Sequence, residues 1–200
     1  MTQAPDVILA TTSPTRRALL TAAGVTFDAV SPGVDEEAAK ASLAAEGLSP
    51  RDMADALAEL KAVRVSMRRP GLVIGSDQTL DLDGQLLDKA PSLDAASERL
   101  IALRGKSHKL HAAVVVAQNG QPIWREIVSA RLTMRPFSDA FLDDYMARAG
   151  DALTGSVGAY HLEGLGAQLF EKIEGDYFAI LGLPLTGLLD LLRRYGVLSL

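Results

Sequence analysis

Thr12, Ser13, Arg16 and Arg17 stand directly after the apolar run Asp6-Val7-Ile8-Leu9-Ala10. The run is short enough for a buried strand, and Ser13-Pro14 is a helix-start signal, because serine caps and proline fits the first turn. The order strand, tight turn, helix presents unpaired backbone N–H groups beside two hydroxyls and two guanidinium groups, an arrangement that suits an anion such as phosphate. Two further sets carry carboxylates. Val34-Asp35-Glu36-Glu37 leaves a turn after Pro32-Gly33, either as an acidic helix start or to handle a metal or water. Asp77 follows the continuous apolar run from Gly71, where a carboxylate is costly unless a cation, a metal or N–H donors pair with it. Lys61 lies one place off the apolar seam Met53, Leu57, Leu60, Val63, Met67, and either snorkels over the core edge or points into a cleft. Lys89 precedes the helix start Pro91-Ser92 and can face the same cleft as Asp77.

The elements that must position these groups alternate between strand and helix. A helix from Pro14 to about Gly24, a short strand at 25–31, an amphipathic helix up to Arg69-Pro70, and a strand running into Asp77 form the first half. In the second half Ser92 caps a helix, and Asn119-Gly120 joins two long strands as a hairpin. Ser138 begins another helix, and Pro184 starts the last one. Thr154 to Gly166 is glycine-dense, with Glu163 among small and apolar residues, as expected for a mobile loop or for backbone that approaches a ligand closely.

Bulk properties narrow the function further. With 48% hydrophobic and 22% charged residues the chain is of ordinary globular composition, and its net charge of -5 argues against a broad nucleic-acid-binding surface. The absence of cysteine excludes disulfides and thiolate metal sites. His108 and His111 lack a spaced ligand set and are expected to be hydrogen-bonded or exposed rather than zinc ligands. Gly105-Lys106-Ser107 is no phosphate-binding P-loop, since Leu100 stands where its first glycine would be; Ile8 to Leu20 likewise lacks the dinucleotide-binding glycine pattern. The amino-terminal segment MTQAPDVILATTSP has no basic stretch before its short apolar run, so a soluble, cytoplasmic protein without a membrane span is expected, in one domain over residues 1–200.

Seven fragments taken in order resemble the Maf family of nucleoside triphosphate pyrophosphatases. They are Ala10-Thr11-Thr12-Ser13-Pro14-Thr15-Arg16-Arg17, Val34-Asp35-Glu36, Leu60-Lys61-Ala62, Ser76-Asp77-Gln78, Asp88-Lys89-Ala90-Pro91, Gly158-Ala159-Tyr160 through Glu163-Gly164-Leu165-Gly166, and Gly182-Leu183-Pro184-Leu185. The resemblance implies a mixed, strongly twisted α/β sheet flanked by helices, in two lobes around a cleft, related to the inosine triphosphate pyrophosphatases. It implies hydrolysis of a nucleoside triphosphate to the monophosphate and pyrophosphate, as house-cleaning of the nucleotide pool, with a divalent cation (Mg²⁺ or Mn²⁺) and a homodimer. By position it makes Asp77 the general base. Ser13, Arg16, Arg17, Glu36, Lys61 and Lys89 then line the phosphate and metal site, with Glu36 and Asp77 as metal ligands. Thr11, Thr15 and Ala90 depart from the family pattern. Gln78 and Glu163 are similar to the branch associated with 7-methyl-GTP and would form the base pocket; the alternatives are a dTTP or UTP pyrophosphatase, or a non-catalytic nucleotide-binding regulator of cell division.

Overall fold

The computed structural model describes residues 5–199; the first four residues of the amino-terminal segment and Leu200 lie outside them. Seven strands form one mixed sheet in the order β2-β1-β3-β5-β6-β7, with β4 paired to β3. Strands β1 (Val7–Ala10), β2 (Asp28–Val30) and β3 (Leu72–Leu82) are parallel, whereas β4 (Gln85–Leu87), β5 (Ser107–Gln118), β6 (Gln121–Met134) and β7 (Phe170–Glu174) add antiparallel pairs. Helices α1 (Pro14–Ala22), α2 (Glu36–Ala45), α3 (Pro50–Ser66), α4 (Leu93–Leu103), α5 (Asp139–Ala149), α6 (Tyr177–Ile180) and α7 (Leu185–Arg194) flank it. The expected α/β sheet flanked by helices is what the chain forms. Among the described residues no helix is long and apolar enough to cross a membrane.

Asp77 does not end its strand, as the apolar run suggested. It lies in the middle of β3, and only the parallel partner ends: β1 pairs with β3 up to Ala10 opposite Gly75, and β4 takes up the same edge from Leu80. Between them this edge of β3 has no strand beside it among the described residues, while β5 continues along the other side. Parallel pairing therefore gives way to antiparallel pairing at Asp77, and the chain leaving β1 turns away there. Crevices in open α/β sheets form where neighbouring connections diverge.

The apolar seam read on α3 is also rotated from the buried face. Leu60 and Met67 are exposed, and Met53, Ala54, Leu57, Ala58, Lys61, Ala62 and Val65 are buried. The reason is close contact rather than hydrophobicity. Ala54, Ala58 and Ala62 pack on Ala113, Val115 and Ala117 of β5, and a Cβ on Gly75 would lie 2.3 Å from the Ala58 carbonyl oxygen. Small side chains let α3 approach the sheet at backbone distance, and that approach turns Lys61 inward. Two large apolar clusters hold the frame on the face of the sheet away from α3, toward its two ends. One joins Leu80, Leu100, Leu103, Leu132, Tyr145 and Tyr160, and the other joins Leu9, Leu20, Leu72, Leu183, Leu188 and Leu192.

Candidate active site

A cleft of about 500 Å³ opens over the unpaired edge of β3. The turn after β1 forms one end of it. Thr11 is buried and its Oγ1 accepts the Ser13 N–H at 3.1 Å, so the turn is built before the helix begins. Ser13 caps α1 by accepting the Arg16 N–H, and Pro14 occupies the first helical position. Arg16 lines the cleft and donates from Nε to the Gly182 carbonyl at 2.8 Å. Burial pushes its guanidinium below its ordinary pKa, while the charges of Asp77 and Glu36 act in the opposite direction. The same Gly182 oxygen accepts from the Ser76 hydroxyl at 2.9 Å, which ties β3, α1 and the α6–α7 turn into one junction.

The floor is a charged cluster. Lys61 and Asp77 are buried, and the Lys61 Nζ lies 2.6 Å from Asp77 Oδ1 and 2.8 Å from Glu36 Oε1. Asp35 caps α2, which explains why an acidic turn is found here, and the next residue sends its carboxylate into the cleft. Burial opposes the charge on Glu36, but Lys61, Lys40 and Lys89 outweigh it and hold the carboxyl below its usual range. The acidic turn is thus a helix start at Asp35, and Glu36 beside it pairs with Lys61 in the cleft. Buried charges are tolerable only when paired in this way.

Loops supply the facing wall. Lys89, Tyr160, His161, Leu162 and Glu163 line it. Glu163 is half-exposed, with Oε1 3.6 Å from His161 Nδ1. The Tyr160 hydroxyl bonds to His108 Nε2 at 2.7 Å, and Arg99 Nη1 donates both to the Asp88 carbonyl and, at 2.6 Å, to the Val157 carbonyl. These contacts fasten the glycine-dense loop to the core and to the segment that carries Lys89. On the opposite side Gln78 Nε2 donates to the carbonyls of Ala179 and Ile180, both at 2.9 Å. With the amide nitrogen committed, Oε1 is the atom left to accept from a ligand.

Ser13, Arg16, Glu36, Lys61, Asp77, Gln78, Lys89 and Glu163 all border the cleft. Arg17 does not: it is exposed and its Nη2 donates to the Thr11 carbonyl at 3.1 Å, bracing the turn from behind. Lys40, Tyr160 and His161, which also line the cleft, were not legible as site residues. Lys40 alone carried a signal, since it lies one helical turn after Glu36. His108 and His111 are both buried and hydrogen-bonded, His111 to Ser129 and Asp81. Among the described residues no three histidine or acidic side chains are grouped to hold a metal ion. Glu36 and Asp77 are two hard oxygen donors, each with a single oxygen on Lys61. That set fits a cation of the magnesium type, which keeps waters and takes one or two carboxylates together with substrate phosphates.

The Maf-like protein family profile matches residues 6–195. The chain is 66% identical to a nucleoside triphosphate pyrophosphatase of Caulobacter vibrioides, over 96% of this chain and 97% of that protein. It is 55% identical to a nucleoside triphosphate pyrophosphatase of Hyphomonas neptunium, again over 96% and 97%. A 7-methyl-GTP pyrophosphatase of Rhizobium meliloti is 48% identical over 98% of both chains.

Proposed function

The chain belongs to the Maf-like family, and from its cleft we propose that it is a nucleoside triphosphate pyrophosphatase, releasing a nucleoside monophosphate and pyrophosphate. The observation that carries this reading is the buried carboxylate of Asp77, set on Lys61 at the floor of a cleft that Arg16, Lys40 and Lys89 also line. In this reading Asp77 keeps one oxygen on Lys61 and uses the other to take a proton from the attacking water, as a general base does. Ser13 and the first turn of α1 bind phosphate oxygens. Arg16 and Lys89 stabilise the charge that builds on the departing pyrophosphate. Glu36 and Asp77 would hold a divalent cation, which supplies charge neutralisation and polarisation of the phosphoryl group.

For the base we favour a guanine-type nucleotide, 7-methyl-GTP in particular, over dTTP or UTP. Gln78 Oε1 and the Glu163 carboxylate are acceptors, and the Watson–Crick edge of guanine presents donors. The negative charge of Glu163 also suits the cationic ring of N7-methylguanine. A purely regulatory nucleotide binder would have little use for the Lys61–Asp77 pair. Pyrophosphate release from 7-methyl-GTP, GTP, dTTP and UTP, measured with Mg²⁺, Mn²⁺ or EDTA, tests both levels. We expect metal-dependent release that is fastest with 7-methyl-GTP. Dominant dTTP cleavage removes the base assignment, and nucleotide binding without pyrophosphate release from any substrate removes the enzymatic one.

A further inference from the structure

We propose that Lys40 is a substrate-binding residue that grips the terminal phosphate of the triphosphate tail, and that Asp88 holds its ammonium in place when the cleft is empty. The assignment rests on the reading of the site as a nucleoside triphosphate pyrophosphatase. Four cations line the cleft: Arg16, Lys40, Lys61 and Lys89. Lys61 is committed to two carboxylates, and Arg16, with Nε on the Gly182 carbonyl, offers only its terminal nitrogens, so a tail with several negative charges draws on Lys40 and Lys89 as well.

Lys40 lies four residues after Glu36 on α2, on the same helix face and about 6 Å further along the axis. If the reacting phosphate sits at Glu36 and Asp77, a residue one turn away is placed for the far end of the leaving pyrophosphate. The Lys40 Nζ is 2.6 Å from Asp88 Oδ1, and the Asp88 side chain is 50% exposed. Asp88 does not line the cleft, and the same oxygen accepts the Lys89 N–H at 3.0 Å. An ion pair with a half-exposed carboxylate is weak, whereas a charge-assisted bond to a multiply charged phosphate is stronger. Exchange of partners is therefore downhill once the tail arrives, and Asp88, accepting from Lys40 Nζ and from the Lys89 backbone N–H, ties α2 to the segment that carries Lys89.

The test is calorimetric titration of full-length wild type, Lys40→Met, Lys40→Arg and Asp88→Asn with inorganic pyrophosphate and with GMP, alongside steady-state turnover of the best nucleotide substrate. We expect Lys40→Met to bind pyrophosphate at least tenfold more weakly while its affinity for GMP is unaltered. KM should rise more than kcat falls. Lys40→Arg should recover most of the loss, and Asp88→Asn should bind pyrophosphate as tightly as wild type or tighter. Equal pyrophosphate affinity in wild type and Lys40→Met overturns the assignment. So does an Asp88→Asn loss as large as that of Lys40→Met, since Lys40 would then only brace the loop. Absence of nucleotide turnover in wild type, with pyrophosphate binding still dependent on Lys40, would end the enzymatic reading and leave the phosphate contact standing.

Discussion

On one wall of the cleft Lys61 and Asp77 are 4% and 5% exposed and meet at 2.6 Å, carried by a helix and a strand in backbone contact. On the other wall Glu163 and Lys89 stand on connecting segments, and the wall reaches the core through Tyr160 on His108 and Arg99 on Val157. The first wall has its charges fixed by packing and leaves the proposed proton acceptor, Asp77, little freedom. The second has half-exposed side chains on a few tethers, so it can adjust to the base and tail it meets. In the proposed reaction, preorganisation is concentrated where charge changes, and adaptability where recognition occurs.

Breaking the inner wall should have the largest effect. Lys61→Ala leaves the Asp77 carboxylate buried without its ammonium and is expected to cost about 3–5 kcal/mol of stability, read from urea unfolding. A loss below about 1 kcal/mol would mean that the pair is far more hydrated than its burial implies. The outer wall has a buried anchor of its own in His108. Burial pushes its pKa from 6.5 down to about 4, so below pH 6.5 the unfolded chain takes up a proton that the folded chain refuses. This contribution is fully present above pH 6.5 and is lost as pH falls towards about 4, amounting to about 3 kcal/mol. Unfolding midpoints at pH 7 and pH 4.5, compared between wild type and His108→Asn, should show a smaller acid-induced drop in the variant.

Asp77→Asn sharpens the contrast by keeping the shape of the inner wall and removing its proton acceptor. Turnover should fall about a hundredfold or more with little change in nucleotide affinity, and full activity would discard Asp77 as the base. Gly75→Ala tests how the inner wall is assembled. The new methyl meets the Ala58 carbonyl, and forcing α3 outward should cost about 1–3 kcal/mol and reduce activity through Lys61. The smallest change is expected from Glu163→Gln on the outer wall. Stability should shift by less than about 0.5 kcal/mol, while preference for 7-methyl-GTP over GTP should fall about tenfold. An unchanged preference would remove Glu163 from the base pocket.

Much of this arrangement was legible in the chain. Ser13-Pro14, Asp35, Ser92, Ser138 and Asn119-Gly120 mark element ends by local chemistry, and each is a cap or a turn in the fold. Lys61 was ambiguous because hydrophobic periodicity ranks residues by apolarity, whereas α3 is seated by small residues. Asp77 was read as a strand end because an apolar run stops there, although the ladder with β5 continues as far as Asp81.

The sequence by itself determined which residue types the site contains and the order in which strands and helices present them, because caps, turns and motif spacing act over a few positions. Only the tertiary structure decided which charges meet. Lys61 finds Glu36 and Asp77 across sequence separations that no local pattern encodes, and Arg17, next to a cleft residue, turns away to the Thr11 carbonyl. The deciding step is the end of β1 at Ala10 while β3 runs on, a matter of strand register and helix approach. These are set by how distant side chains fill shared space, and no local sequence signal carries them.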